Sequence, residues 1–180
     1  MATKRPPAPI RVFTLILILV ISFWTAERQA SAETIDLATF FSGHLIATGK
    51  FKNFRDGSNR GVKVDIRGGP VGKGFRLTTN TTFSDGKKER KVWRFERISS
   101  TRYIGRRTDL VGTASVAVKG RVVSLRYIAK VRASDGKSYN VTFQETFELS
   151  KSGHGKNLVK ASVFSIPVGE AVLSMRKVSP

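Results

Sequence analysis

From about residue 60 onward, apolar and polar residues alternate along the chain with a period of two. Val62, Val64 and Ile66 interleave with Lys63, Asp65 and Arg67, and Phe75, Leu77, Thr79, Thr81 and Phe83 interleave with Arg76, Thr78, Asn80 and Thr82. Successive side chains of a strand point to opposite faces, so each run predicts a strand with one buried face. The pattern returns at Val123, Leu125, Tyr127, Ala129 and Val131, and again at Tyr139, Val141, Phe143, Phe147 and Leu149. Runs of this length are long enough to bend a sheet into a barrel.

Turn chemistry separates the runs. Ser84-Asp85-Gly86-Lys87 and Ser134-Asp135-Gly136-Lys137 each place an Asp-Gly pair between strand patterns, which predicts hairpins of type I′. Lys119-Gly120-Arg121 predicts a tight reversal, Ser150 to Gly155 a flexible loop, and Pro167-Val168-Gly169 the break between the last two strands. The glycine-rich stretch Gly68 to Gly74 reads as a strand-joining loop, because it lacks the spacing, the Ser or Thr after the lysine, and the following helix of a phosphate-binding loop. Leu37, Phe40 and Phe41, spaced i, i+3, i+4, predict one short N-terminal helix. The expected fold is all-β: a single antiparallel barrel of about eight to ten strands with that helix as plug or lid.

The first 32 residues follow a different pattern. Lys4, Arg5 and Arg11 precede an uncharged, almost wholly apolar run from Val12 to Trp24, and Ala30-Ser31-Ala32 supplies small residues where a signal peptidase cuts. At about 1.5 Å per residue this run reaches about 20 Å, short of the roughly 30 Å hydrocarbon core. The expectation is a cleavable signal peptide over residues 1–32, a mature N-terminus at Glu33, and one barrel-like domain over 33–180, periplasmic or secreted. Cleavage lowers the net charge from +19 to +16, since four basic residues and one acid leave with the peptide. The mature chain stays strongly basic, with its cations spread along the strands as on a solvated outer sheet face. The same face could adhere to anionic lipid headgroups or envelope polymers, ahead of nucleic acid.

Catalytic chemistry is sparse. Cysteine is absent, which excludes disulfides, thiolate metal sites and thiol nucleophiles. His44 and His154 are far apart and belong to no ligand-spaced cluster, so neither a metal, a cofactor nor an enzyme class is expected. One constellation follows from strand parity. Glu145 shares its parity with Phe143 and Phe147, so unless a bulge turns it outward it points among apolar residues, where an unpaired carboxylate is costly. Lys91 and Arg97 share parity with Trp93 and Phe95 and are the expected inward bases to meet it. The candidate binding residues are Trp93, Phe95, Tyr127, Phe143, Glu145 and Phe147, a polar group among aromatics that suits a small amphipathic ligand.

Several segments resemble a family of bacterial envelope proteins known as domain of unknown function 3833. They are Phe40-Phe41-Ser42-Gly43, Val64-Asp65-Ile66, and Ser84-Asp85-Gly86 followed by Arg90-Lys91-Val92-Trp93-Arg94-Phe95. Thr108 to Ala114, Leu125-Arg126-Tyr127 and Val168 to Val172 continue the likeness, which covers almost all of residues 38–178. The resemblance implies a lipocalin-like barrel, often lipid-tethered, with no established activity. This chain departs from the pattern in lacking a lipobox cysteine and in carrying single acids where the family pairs them. The function expected is therefore non-enzymatic binding of a lipid-like or small amphipathic molecule inside a barrel. The alternatives are a polyanion- or anionic-membrane-binding surface and a structural envelope component.

Overall fold

Each alternating run forms a strand. The computed structural model describes residues 34–133 and 136–178; the expected signal peptide, its cleavage site and the Ser134-Asp135 pair lie outside the described residues. In chain order the elements are α1 (Leu37–Phe40), β1 (Gly43–Asn53), β2 (Asn59–Val71), β3 (Gly74–Phe83), β4 (Lys88–Arg97), β5 (Arg102–Arg106), β6 (Ala114–Lys119), β7 (Val122–Arg132), β8 (Ser138–Leu149), β9 (His154–Val163) and β10 (Ile166–Lys177). Consecutive strands pair antiparallel, and β1 pairs with β10 from Leu45 opposite Lys177 to Asn53 opposite Gly169, closing a lipocalin-like barrel. Closure leaves no free sheet edge.

Burial follows the alternation. Along β7, Val123, Leu125, Tyr127 and Ala129 are buried while Ser124, Arg126, Ile128 and Lys130 face out. The turns depart from expectation in three places. Gly86 has φ +84° but Asp85 has no positive φ, and Gly86 N–H donates to Phe83 O while Phe83 N–H donates to Lys87 O. That is a turn closed by a left-handed glycine, not type I′; Ala133, Gly136 and Lys137 repeat the same two bonds. Positive φ at both loop positions occurs instead at Phe164 (49°) and Ser165 (66°), so the β9–β10 reversal precedes Pro167. Pro167-Val168-Gly169 lies inside β10 as a register shift, where proline's missing donor is tolerated. Gly68 to Val71 is likewise strand, and only Gly72 and Lys73 join β2 to β3.

The short helix closes one end. Asp36 caps it by accepting from Thr39 N–H at 2.8 Å and also pairs with Arg97 at the end of β4. Ile35 N–H donates to Gly120 O at 2.9 Å, and Lys177 Nζ donates to Thr39 O at 3.2 Å, so β6–β7 and β10 hold the same plug. Leu37, Phe40 and Phe41 are buried beneath it. Phe41 stacks on Phe75 at 6.0 Å, Phe75 on Phe95 at 4.7 Å and Phe95 on Trp93 at 5.2 Å, which makes an aromatic floor rising from the plug into the barrel.

Helix docking depends on Gly68, where a Cβ would stand 2.2 Å from Phe41 O and 2.5 Å from Leu77 Cδ2, whereas a Cβ on its neighbour Gly69 would meet nothing within 4 Å. Gly68→Ala is therefore expected to destabilise the fold by about 1–3 kcal/mol through overpacking, while Gly69→Ala changes stability little. Thermal unfolding of the two variants side by side checks this.

Candidate functional site

The five aromatic residues expected from the sequence come from three strands, and Phe51 on β1 and Phe75 and Phe83 on β3 add to the lining. β4 supplies Trp93 and Phe95, β7 supplies Tyr127, and β8 supplies Phe143 and Phe147. Elsewhere the wall includes short side chains, among them Ala47 on β1, Val64 on β2, Ala161 on β9 and Ala171 on β10, which leave part of the ten-stranded barrel unfilled. The result is a cavity of about 800 Å³ whose lining runs from Leu37 and Phe41 at the plug to Arg60, Lys87 and Arg132 at the opposite end. Its volume lies within the range of small-molecule sites.

All six residues expected from the sequence line this cavity. Trp93, Phe95 and Tyr127 are buried, and Phe143 and Phe147 are partly buried against the same core. Trp93 meets Tyr127 edge-on at 5.1 Å and Tyr127 stacks on Phe143 at 5.0 Å. Glu145 points inward without a bulge, because β8 runs in register with both neighbours, Leu125 and Val159 standing directly opposite Glu145.

The expected base for Glu145 is not there. Lys91 does line the cavity, but its Nζ donates to Asp109 Oδ2 at 2.8 Å, and Arg97 pairs with Asp36 at the plug. β4 is no sheet neighbour of β8, so parity placed these bases on the inner face without bringing them to the carboxylate. Glu145 is satisfied by its own neighbours: Tyr127 Oη donates to Oε1 at 2.7 Å and Asn157 Nδ2 donates to Oε2 at 3.0 Å. Both donors are diagonal cross-strand partners, one on β7 and one on β9. Burial first, and then the charge of Glu145, push the Tyr127 phenol well above its ordinary pKa, so it stays a neutral donor.

Arg107 completes the polar layer, and sequence reasoning missed it. It sits in the β5–β6 connection, outside any strand parity. Its side chain is only 9% exposed, with the guanidinium 4.3 Å from the Trp93 ring centroid and 5.1 Å from that of Tyr127. Arg107 Nε donates to Asp109 Oδ1, so one carboxylate holds both Arg107 and Lys91. Burial works against the charged form of Asp109, but hydrogen bonds from Lys91 and Arg107 outweigh it and hold the carboxyl below its ordinary value. Asn157 was also missed, although on β9 it shares parity with Val159 and Ala161.

The arrangement is that of a binding chamber. It has an apolar body, a belt of fixed donors and acceptors at mid-depth, and an excess of cations near the open end. Among the described residues no group of His, Cys, Asp or Glu could hold a metal ion. His44 pairs with Asp65 at 2.6 Å, on the strand face opposite to that of Leu45 and Ile66, away from the cavity.

No curated protein sequence matches the chain. Among solved structures, it is similar to the S-type phycobiliprotein lyase CPES from Guillardia theta, with a TM-score of 0.60 and 10% identity over 81% of this chain and 94% of that one. EF1p2_mFAP2b bound to DFHBI aligns over 79% of this chain and 96% of its own at 12% identity, with a TM-score of 0.43. The first likeness shows the fold alone. A family model described as protein of unknown function (DUF3833) matches residues 16–177, nearly the whole chain, and the protein belongs to that family.

Proposed function

We propose that this protein is an exported, non-enzymatic carrier or sensor that holds a lipid-like or other small amphipathic molecule inside its barrel. The observation that carries the reading is the cavity of about 800 Å³, with Trp93, Phe143 and Phe147 offering apolar surface around the Tyr127–Glu145–Asn157 hydrogen bonds. An apolar chain would lie against the rings and the short side chains of Ala161 and Ala171. The polar part would meet either the mid-depth belt or the cations towards the mouth. Burying an alkyl chain contributes about 0.8 kcal/mol per methylene, so a modest chain length suffices for micromolar binding.

Trp93 reports on occupancy, since it lies in the cavity wall. Titration with stearic acid is expected to change its emission saturably. Ala161→Phe, which fills part of the chamber, is expected to weaken that binding about tenfold or more while leaving the circular dichroism of the fold intact. An emission that does not respond to stearic acid in the wild-type protein contradicts the reading.

A second reading rests on a separate observation. On the outer face Arg76 stands directly opposite Arg94, and Arg94 directly opposite Arg106, which pairs with Glu96 at 3.7 Å, so the repulsion falls mainly on Arg76 and Arg94. Such neighbours repel, and an anionic surface relieves the repulsion. The row is proposed to help the barrel rest against anionic lipid headgroups or envelope polymers. Binding to vesicles containing phosphatidylglycerol is then expected at low salt and lost as ionic strength rises, with the double variant Arg76→Glu, Arg94→Glu weakened about tenfold or more. Co-sedimentation against purely zwitterionic vesicles supplies the comparison, and equal, salt-insensitive binding to both removes the charge from the account.

A further inference from the structure

Arg107 lies in the interior with most of its donors unspent. Its Nε–H goes to Asp109, while Nη1 and Nη2 hydrogen-bond to no described residue. The guanidinium does approach the Tyr127 phenol, where its charge works against that group's upward shift. Among the described residues the only side-chain nitrogen or oxygen that is both sealed off and unbonded is Asn157 Oδ1, so the amino groups of Arg107 stand open. The rings beneath them, Trp93 and Tyr127, face the interior, and the space they open on is the cavity. Lys91 Nζ, also in the lining, shares the same carboxylate, donating to Asp109 Oδ2 at 2.8 Å.

One carboxylate therefore faces two cations, which leaves positive charge in excess at this point of the wall. Glu145 is an opposing charge beyond Tyr127, but Tyr127 and Asn157 already bond its oxygens, and the lining as a whole carries seven cationic side chains against four carboxylates. Guanidinium donors in a chamber of low dielectric are met most strongly by an ionised acceptor, and their planar fork suits the paired oxygens of a carboxylate or phosphate. We propose that the ligand is an anionic amphiphile bound with its acidic head inside the barrel, where the head's oxygens accept from the Arg107 amino groups and from Lys91 while its alkyl chain lies along the apolar wall. Trp93 packs against the guanidinium and Asp109 holds its Nε edge, so the fork is oriented before the ligand arrives. A neutral head would leave the excess charge unmet.

This inference rests on the cavity being a ligand site, and the experiment separates the two. Titration calorimetry at about pH 8, where both acids are ionised, compares lauric acid, dodecyl phosphate and 1-dodecanol, which share one chain and differ in the head. At least one of the acids is expected to bind about ten- to a hundredfold tighter than the alcohol, the range of a charge-assisted hydrogen bond, and the tighter acid names the head as carboxylate or phosphate. In Arg107→Met, which keeps apolar packing on Trp93 and removes the charge, that preference is expected to vanish while 1-dodecanol still binds. In the double variant Lys87→Gln, Arg132→Gln, which removes cations at the mouth, the preference is expected to persist. The wild-type comparison and the mouth variant stand even where Arg107→Met fails to fold. Equal affinity of the acids and the alcohol overturns the inference and leaves the cavity as a site for neutral amphiphiles. A preference that survives Arg107→Met, or that the mouth variant abolishes, overturns the assignment to Arg107. Binding of none of the probes overturns both the inference and the cavity reading beneath it.

Discussion

Closure of the sheet through β1 is the constraint on which the rest of the molecule depends. β1 pairs with β2 on one side and β10 on the other, so every strand has two neighbours and every inward side chain is committed to one interior. Ten strands enclose more space than side chains as short as Ala47, Ala161 and Ala171 can fill. One end of that space is sealed by α1 and its aromatic floor, held by the Asp36 cap, the Asp36–Arg97 pair and the close approach of Phe41 O to Gly68. The cavity is thus a consequence of strand number, side-chain size and a plug at one end.

Within that interior, the carboxylates of Glu145 and Asp109 persist because neighbours satisfy them. The chain does this in two clusters that meet around Tyr127. Glu145 is held by Tyr127 and Asn157, while Asp109 is held by Lys91 and Arg107, with the Arg107 guanidinium spread over Trp93 and Tyr127. Each carboxylate is met by two donors, which offsets the cost of taking it from water. Rigid, prepaired groups of this kind orient a ligand at little further entropic cost.

Much of this was legible in the alternation of residues, because parity alone assigns a side chain to one face. It placed Trp93, Phe95, Tyr127, Phe143, Glu145 and Phe147 in one interior, while the i, i+3, i+4 spacing of Leu37, Phe40 and Phe41 located the helix. Parity does not say which strands are adjacent, and that is why Lys91 and Arg97 were matched with Glu145 when Tyr127 and Asn157 were its true neighbours. Arg107 lay beyond reach because it enters the cavity from a connection with no strand period. The last reversal was misplaced for a different reason. Phe164 and Ser165 adopt positive φ without glycine or asparagine, and Pro167 and Gly169, the usual turn residues, mark a bulge instead.

The claim that the chamber is built to hold a small amphiphile is tested most directly by native mass spectrometry of the protein purified gently from the cells that make it. The account predicts a second species heavier than the polypeptide by the mass of one small molecule. Organic extraction should release that molecule, and the Ala161→Phe variant should lack it. A polypeptide found only at its bare mass, in the wild-type protein as in the variant, would contradict it.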